Sequence, residues 1–500
     1  MKDATMKITP EHFAQMTLEQ AAAGLAKGEF TPSELLEASL ARMDAFEPSI
    51  NAVITRNDDE ARKEAAALGK PDPAKPLWGL PVAVKDNMMT RGLRTTCGSG
   101  ILENFVPPYD AAVVEKLRAA GAFVNGKANM DEFAMGATGE SSAYGATLNP
   151  WDTTRVPGGS SSGSSALVAY GGALASLASD TGGSIRQPAS YCGLVGMKPT
   201  YGRVSRHGVG ALASSLDQVG PIARCVRDSA FVMDAISGYD RRDSTSAKQA
   251  DQAAPCLPTI EDGVKGLRIG FDPSILNREG LAPSKIEALK KSVDIAKSAG
   301  AEIREVKIPL IDYGVAAYYI ICCCEASTNM ARFDGVRYGK RRGEGDLWDV
   351  YSETRGKGFS DEVKRRIMMG SYALSKGYYD AYYLKAVRVR RLFTQKMTEL
   401  FDSVDAIFMP VSPTPPRLLG AKASVLENYL GDIFTLPANL TSLPALSFPG
   451  GLYDGLPAGV QVMGAPFRED ILYRVARAAE RGIGPLPGAP WTKAQPEEVK

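Results

Sequence analysis

The stretch LRIGFDPSILNREGLAPSKIEALKKSVDIAKSAGAEIREVKIP, residues 267–309, decides the fold class. Its first and last segments, LRIGF and AEIREVKIP, have the short apolar pattern of strands, and PSKIEALKKSVDIAKSAG between them predicts a helix. A strand, a helix and a second strand in this order are typical of a parallel sheet, because a helix carries the chain back across it.

The same alternation extends in both directions from this unit. The segment DAAVVEKLRAAG, residues 110–121, predicts an amphipathic helix with Asp110 as its N-cap. Further predicted strands are LPVAVKDN, AFVNGKAN, DAIFMPV, PALSFPG and AGVQVMG, and EDILYRVARAAERG predicts a closing helix. We therefore expect an α/β fold with a single large mixed, mostly parallel twisted sheet that helices cover on both faces.

Residues 1–75 predict a helical N-terminal extension that packs on the core. Two helix starts carry capping boxes, Thr17 with Gln20 and Thr31 with Glu34, and Pro32 occupies the first position of the second helix. A strand in INAVIT and a helix in DDEARKEAAALGK follow them. Residues 76–500 contain no internal repeat or long linker, so we expect one structural domain there.

The composition indicates a globular protein of the cytoplasm. Hydrophobic residues make up 44% and charged residues 23% of the 500, and the net charge of +1 argues against a surface built mainly for nucleic acid or anionic membrane. The seven cysteines are odd in number and scattered, which favours buried thiols over disulfides. Cys322, Cys323 and Cys324 are adjacent, so their side chains diverge and cannot all face one metal ion. We see neither a secretion signal nor an apolar run of about 20 residues.

A glycine-rich turn places a serine where a nucleophile is expected. In SDTGGSIRQP, residues 179–188, Gly182 and Gly183 precede Ser184. The N–H groups from Thr181 to Ser184 would form a concavity that holds an anion, either a bound phosphate or the oxyanion of a reaction intermediate. A simple Gly/Ser turn without chemistry has the same pattern.

A serine nucleophile needs a base, and the sequence contains only two histidines that could serve as one. The two histidines are His12, in the N-terminal segment, and His207, in a polar loop. A lysine serves instead if burial keeps it neutral, and Lys85 ends the apolar run GLPVAVK. The alternative is a lysine that reaches past the end of its strand to solvent.

The combination resembles the amidase signature family. It consists of Lys85 in GLPVAVKDN, Ser160 in GGSSSGSS and Ser184 in SDTGGSIRQPASYCG, within a signature core of about residues 76–225. The resemblance implies a Ser–cisSer–Lys triad, with Ser184 as nucleophile, Ser160 as bridge after a cis peptide bond and Lys85 as base. It also implies an oxyanion hole built from the N–H groups of residues 181–184. Ser162 departs from the family pattern, which usually has glycine there.

Further motifs, within and beyond this core, resemble the branch of this family that supplies ammonia to a tRNA-dependent amidotransferase. They include NMDEFAMG, NPWD, GMKPTYGRVSR, EVKRRI and GYYDAYYLKA. The resemblance implies glutamine as substrate, with Arg366 on its α-carboxylate, Asp432 on its α-ammonium and Tyr318 in contact with it. Arg365 is the neighbouring candidate for the arginine. Buried charges of a bound zwitterion require partners of this kind.

The resemblance also implies partners. The B and C subunits of the amidotransferase would complete a heterotrimer, and the B subunit would use ATP and Mg²⁺ to activate Glu-tRNA(Gln). This chain has no Walker-type loop, in keeping with ATP binding elsewhere. We expect no metal or cofactor here. A free-standing amidase acting on aryl or aliphatic amides is the first alternative, and a non-catalytic scaffold whose Gly/Ser loops bind phosphate is the second.

Overall fold

The computed structural model describes residues 8–422 and 424–494. Its eleven described strands form one sheet in the order β1-β3-β2-β4-β6-β5-β10-β11-β9-β7-β8. The strands are β1 (Val53–Arg56), β2 (Pro81–Lys85), β3 (Phe123–Ala128), β4 (Ala175–Asp180), β5 (Val195–Lys198), β6 (Gln218–Ala223), β7 (Arg268–Phe271), β8 (Glu302–Glu305), β9 (Ala406–Pro410), β10 (Ala445–Tyr453) and β11 (Leu456–Gly464).

Sixteen α-helices lie within the described residues. They are α1 (Pro10–Gln15), α2 (Leu18–Lys27), α3 (Pro32–Ile50), α4 (Asp58–Ala67), α5 (Ala112–Ala119), α6 (Ser162–Ala169), α7 (Arg186–Tyr191), α8 (Val226–Ile236), α9 (Pro283–Ser298), α10 (Ile311–Met330), α11 (Leu347–Gly358), α12 (Asp361–Leu374), α13 (Lys385–Phe401), α14 (Val425–Leu430), α15 (Leu436–Leu440) and α16 (Glu469–Ile483). None of the described helices is long and apolar enough to cross a membrane.

The predicted α/β class with one large mixed sheet is confirmed. Four of its neighbouring pairs are parallel, in the groups β3-β2-β4 and β9-β7-β8, and the other six, including the edge pair β1-β3, are antiparallel. The expected parallel majority is therefore not found. One reason is that β10 and β11 are joined by a tight hairpin at Asp454 and Gly455, which has no room for a crossover helix.

The strand–helix–strand unit of residues 267–309 is confirmed. Strands β7 and β8 pair in parallel, with Ile269 opposite Ile303, and α9 connects them. Proline at the first position of α9 is compatible with helix initiation, because its missing N–H has no partner there in any case.

Both capping boxes of the N-terminal extension are present, in α2 and α3. Helix α3 runs to Ile50, so β1 begins only at Val53, later than INAVIT predicted. Strand β1 pairs with β3, which makes the extension the source of the sheet's edge strand.

The prediction of Asp110 as an N-cap was wrong. Helix α5 begins at Ala112 with Ala111 as its N-cap residue. The carboxylate of Asp110 instead accepts the Arg91 N–H at 2.7 Å and pairs with Arg118 at 3.4 Å. Two donor groups other than the N–H groups of the helix start therefore hold the side chain away from it.

Strand β2, which carries Lys85, is covered on both faces. All of its residues are buried. Val82 and Val84 belong to the largest hydrophobic cluster, whereas Ala83 belongs to a second cluster formed with α3 and α6. Side chains alternate between the faces of a strand, so β2 lies inside the molecule and excludes water from its carboxyl end.

Candidate active site

The site lies at the carboxyl ends of three neighbouring strands. Strands β3, β2 and β4 are parallel, so their carboxyl ends meet at one edge of the sheet. Lys85 is the last residue of β2, Asp131 follows β3, and Asp180 ends β4. This topology brings together Lys85 and the SDTGGSIRQP loop, which are far apart in the sequence.

Lys85 is fully buried among three serines. Its Nζ lies 2.8 Å from Ser160 Oγ, 2.9 Å from Ser161 Oγ and 3.0 Å from Ser179 Oγ, and the residue has 0% exposure. Burial lowers the pKa of Lys85 to about 7, although three nearby aspartates act in the opposite direction. The alternative of a lysine that reaches solvent is thereby excluded.

The bridging position follows a cis peptide bond between Gly159 and Ser160. The N–H of Gly159 donates to Gln187 Oε1 at 2.9 Å, and the carbonyl of Ser160 accepts the Asp131 N–H at 3.1 Å. These bonds tie the segment to α7 and to the loop after β3. Ser160 is completely buried.

Apolar and small residues from Ala166 onward predict a buried helix after a Gly/Ser-rich loop, but helix α6 begins at Ser162, four residues earlier. Residues 162–165 therefore form the first turn of the helix rather than a loop. Ser162 has helical backbone and its Oγ donates to Thr147 Oγ1 at 3.3 Å, so serine is accommodated at this position.

Ser184 lies close to this helix start. The N–H of Ser161 donates to the Ser184 carbonyl at 3.3 Å, and Ser184 is 8% exposed, at the wall of a small pocket. The nucleophile position is therefore accessible from the pocket, whereas Lys85 behind it is not.

Asp180 shapes the loop that carries Ser184. Its carboxylate accepts the N–H groups of Gly183 at 2.9 Å and Ile185 at 3.2 Å, and pairs with Arg186 at 3.1 Å. Burial acts to raise the pKa of Asp180, but Arg186 outweighs it and the pKa falls to about 2. The Gly183 N–H thus donates to Asp180 and is not free to bind an oxyanion. Of the four predicted oxyanion donors, Thr181, Gly182 and Ser184 remain.

Two further contacts hold the glycine turn. Thr181 Oγ1 donates to Asp217 Oδ1 and Thr435 Oγ1 donates to the Gly182 carbonyl, each at 2.7 Å. A Cβ on Gly182 would lie 2.4 Å from Tyr318 Oη. Tyr318, a predicted substrate contact, therefore packs directly against the turn, and only glycine fits between them.

The structure places Arg366, rather than Arg365, on the pocket that contains Ser184. The side chain of Arg366 is 6% exposed and that of Arg365 is 43% exposed. Both pair with Glu362, and Arg366 Nε donates to Glu362 Oε1 at 2.8 Å. The geometry thereby separates the two candidates that the sequence left open.

Asp432 lines the same pocket. Its carboxylate accepts the Tyr319 hydroxyl at 2.8 Å, and burial raises its pKa to about 6. The Tyr319 ring stacks on Tyr429 with centroids 3.6 Å apart, and the Arg366 guanidinium carbon lies 5.4 Å from the Tyr319 centroid. One end of the pocket thus offers both a cation and a carboxylate.

An outer cavity of about 240 Å³ leads to this pocket. The two share Gly136, Ala137, Tyr319 and Arg366 as lining residues. Arg366 therefore lines both the outer cavity and the pocket that contains Ser184.

Sequence reasoning missed four polar residues of the site: Ser161, Ser179, Asn87 and Tyr319. Ser161 and Ser179 contact Lys85, Asn87 Nδ2 donates to Ser179 Oγ at 3.0 Å, and Tyr319 holds Asp432. Each lies within two residues of a residue that the sequence analysis singled out. That closeness in sequence was the signal by which they could have been found. Neither histidine lines the pocket that contains Ser184.

Known proteins are similar in sequence to this chain over most of its length. A family model described as Amidase matches residues 34–472. The A subunit of the glutamyl-tRNA(Gln) amidotransferase of Geobacter metallireducens is 50% identical over 93% of this chain and 97% of its own length. The protein of that name from an Anaeromyxobacter species is 49% identical over 97% of this chain and 100% of its own length.

Solved structures of similar fold point to the same family. The crystal structure of the glutamyl-tRNA(Gln) amidotransferase A subunit from Thermotoga maritima has a TM-score of 0.78 and 41% identity, covering 98% of this chain and 99% of that chain. A 6-aminohexanoate cyclic dimer hydrolase has a TM-score of 0.82 and 27% identity, covering 97% and 99%. Because the family model spans most of the sequence and the relatives align over nearly their whole length, this chain belongs to the amidase family.

Proposed function

We propose that the protein hydrolyses glutamine to glutamate and ammonia, as the glutaminase component of a tRNA-dependent amidotransferase. The observation that carries the proposal is the buried amine of Lys85, 2.8 Å from Ser160 Oγ and next to the loop of Ser184. An uncharged amine in this position is a general base that needs no histidine.

The proposed reaction begins with a relay of two protons. Ser160 gives its hydroxyl proton to the neutral amine of Lys85 and takes the proton of Ser184. The oxygen of Ser184 forms a bond to the side-chain amide carbon of glutamine. The N–H groups of Thr181, Gly182 and Ser184 stabilise the oxyanion that develops, where one donor contributes about 3 kcal/mol.

The intermediate then collapses. The carbon–nitrogen bond breaks as Lys85 returns its proton through Ser160 to the departing nitrogen, and ammonia leaves. Water attacks the resulting glutamyl ester of Ser184 by the same relay, and the ester bond breaks to release glutamate. We propose that this chain needs no metal or organic cofactor for either step.

The charges at one end of the pocket favour an amino acid over a neutral amide. Arg366 would hold the α-carboxylate and Asp432 the α-ammonium of glutamine, with Tyr318 beside the reacting group. A free-standing amidase acting on aryl or aliphatic amides has no use for two buried opposite charges beside its nucleophile, since each costs desolvation. This argument favours glutamine over that alternative.

The names of the relatives support a multi-subunit assembly. We propose that the B and C subunits join this chain in the cytoplasm, and that the B subunit binds ATP and Mg²⁺ and transfers the ammonia to Glu-tRNA(Gln). Purification of the native complex from its own cell should recover the three chains together. Recovery of this chain alone, with full activity on neutral amides, would favour the free-standing amidase.

The nucleophile is tested by Ser184→Ala. Removal of the attacking oxygen should lower kcat for ammonia release from glutamine by at least about 1,000-fold. Ser162→Ala is the matched control, because it removes a buried hydroxyl of the same region that touches neither Lys85 nor Ser184 among the described contacts, and it should retain most activity. Turnover that survives Ser184→Ala would contradict the assignment. A wild-type complex that released no ammonia from any amide would favour the scaffold alternative.

A further inference from the structure

The side chain of Asn87 is buried behind the proposed base and has no role in the reaction described above. It lies two residues after Lys85, past the carboxyl end of β2. Its Nδ2 donates to Ser179 Oγ at 3.0 Å, and the same Ser179 Oγ lies 3.0 Å from Lys85 Nζ. Asn87 is thus linked to the lysine through a single hydroxyl oxygen.

The three serines around Lys85 are not equivalent. The hydroxyl of Ser161 donates to the Ser179 carbonyl at 3.2 Å, so its proton is committed and its oxygen can only accept from Lys85. The oxygen of Ser179 accepts the Asn87 amide proton. Among the described hydrogen bonds, the hydroxyl of Ser160 is the one of the three with no partner besides Lys85, which leaves it available to the nucleophile.

The amide of Asn87 also has an electrostatic direction. Its NH₂ group, the positive end of the side-chain dipole, points at Ser179 Oγ, the atom that also lies 3.0 Å from the lysine nitrogen. A positive dipole end destabilises an ammonium, and a hydroxyl that already accepts one proton is a weaker acceptor for a second. Both effects favour the amine over the ammonium.

This direction matters because carboxylates surround the lysine. Asp131 after β3, Asp180 at the end of β4 and Asp217 before β6 all attract an ammonium at Lys85, as does the thiol of Cys97 when ionised. Asp180 is paired with Arg186, and Asp131 and Asp217 accept backbone N–H groups. These charges offset part of the effect of burial, which lowers the pKa of Lys85, so a dipole that disfavours the ammonium acts in the same direction as burial.

We propose that Asn87 is a positioning residue for the reaction, which acts through Ser179 to hold Lys85 in place and to favour its uncharged form. The inference rests on the proposed function, in which Lys85 is the base. Asn87 touches no reacting atom; its amide acts on the charge state of the group that does.

The test is Asn87→Asp, which replaces the amide donor by a carboxylate of nearly the same shape. Asn125→Asp is the matched control, since Asn125 in β3 is also buried and its Nδ2 donates to Ser39 Oγ at 3.1 Å, on the side of α3. Both changes bury a new carboxyl group near the sheet, but only the carboxyl group at position 87 faces Ser179.

Two measurements are made on the full-length protein as purified from its own cell. The first is the pH dependence of kcat/KM for ammonia release from glutamine. The second follows the titration of Lys85 by ¹³C NMR of lysine labelled at Cε, with the signal assigned by its loss in Lys85→Met. The second needs no activity, which separates the inference from the proposed function.

We expect Asn87→Asp to move the titration of Lys85 and the acid limb of kcat/KM upward by at least about one pH unit. Activity at pH 7 should fall at least about fivefold and recover at higher pH, whereas Asn125→Asp should leave both curves in place. An unmoved Lys85 titration in Asn87→Asp, or an equal movement in Asn125→Asp, would overturn the inference. If the titration moves but wild type does not hydrolyse glutamine, the proposed function fails and the positioning role stands.

Discussion

Lys85 illustrates how a single residue depends on its surroundings. A lysine at the end of an apolar run is compatible with either a buried amine or an exposed ammonium, and the sequence around it cannot decide between them. The structure encloses it with three hydroxyl groups and no solvent, and burial lowers its pKa to about 7. The residue type permits the chemistry, and burial makes it possible at neutral pH.

The choice between Arg365 and Arg366 as the arginine that binds the substrate carboxylate likewise depends on the surroundings of each residue. They are adjacent in the sequence and both pair with Glu362, so pattern alone does not separate them. On a helix, neighbouring residues point about 100° apart. That rotation places Arg366 in the pocket and leaves Arg365 with an exposed side chain.

At this scale we predict the effect of Arg366→Ala. It should raise KM for glutamine by roughly 30- to 150-fold, because a charge-assisted bond to the α-carboxylate contributes about 2–3 kcal/mol, and should hardly change attack on a neutral amide. Steady-state kinetics with both substrates measure this. Arg365→Ala is the control and should alter KM less than about threefold.

Equal losses on glutamine and on the neutral amide would assign Arg366 a structural role. An Arg365→Ala variant with the larger effect on KM would transfer the assignment to Arg365.

At the scale of elements, local signals in the sequence were reliable where the bonds themselves are local. The capping boxes of α2 and α3 involve residues three apart, and both are present. Asp110 failed as an N-cap because two partners outside the helix start, Arg91 and Arg118, hold its carboxylate. These contacts overrode a local preference.

The start of α6 was placed too late for a related reason. Serine is a weak helix former, so the serine run predicts a loop. In the structure Gly163 allows the helix to lie against β3, since its N–H donates to the Asn129 carbonyl at 2.9 Å. The close approach of two backbones, which no local pattern records, decides this helix boundary.

We therefore predict that Gly163→Ala destabilises the protein. A Cβ at this position would lie 2.2 Å from the Ala52 carbonyl oxygen and 2.3 Å from the Asn129 nitrogen, and backbone atoms cannot move aside as side chains do. Overpacking of this kind costs about 1–3 kcal/mol. The midpoint of urea unfolding should fall, and glutaminase activity should fall with it because Ser160 and Ser161 directly precede α6.

The matched control for that change is Ser165→Ala in the same helix. Its buried hydroxyl is without a partner among the described residues, so its removal should leave stability unchanged or slightly raised. A Gly163→Ala variant with the unfolding midpoint of wild type would show that the contact with β3 relaxes freely.

At the scale of the whole molecule, the N-terminal extension is part of the core rather than an appendage. Phe13, Leu25, Leu35 and Leu36 are buried, and β1 covers the outer edge of β3. A chain without these elements would expose both an apolar surface and an unpaired strand edge.

We predict that residues 76–500 expressed alone aggregate. Coexpression of residues 1–75 as a separate chain should restore soluble protein, because the contacts between the two parts are non-covalent. Soluble yield and light scattering measure both outcomes. A soluble 76–500 fragment with native circular dichroism and wild-type activity would contradict the prediction.

The sequence by itself determined the class of fold, since apolar periodicity records how each segment is buried, and it singled out the lysine and serines of the site. Tertiary structure alone decided which end of the sheet gathers them, because strand order joins residues that are far apart in the chain. It also decided which arginine faces the pocket and which of the serines beside Lys85 has no second hydrogen-bond partner among the described residues. Those outcomes depend on distances between elements, and a linear pattern contains no such distances.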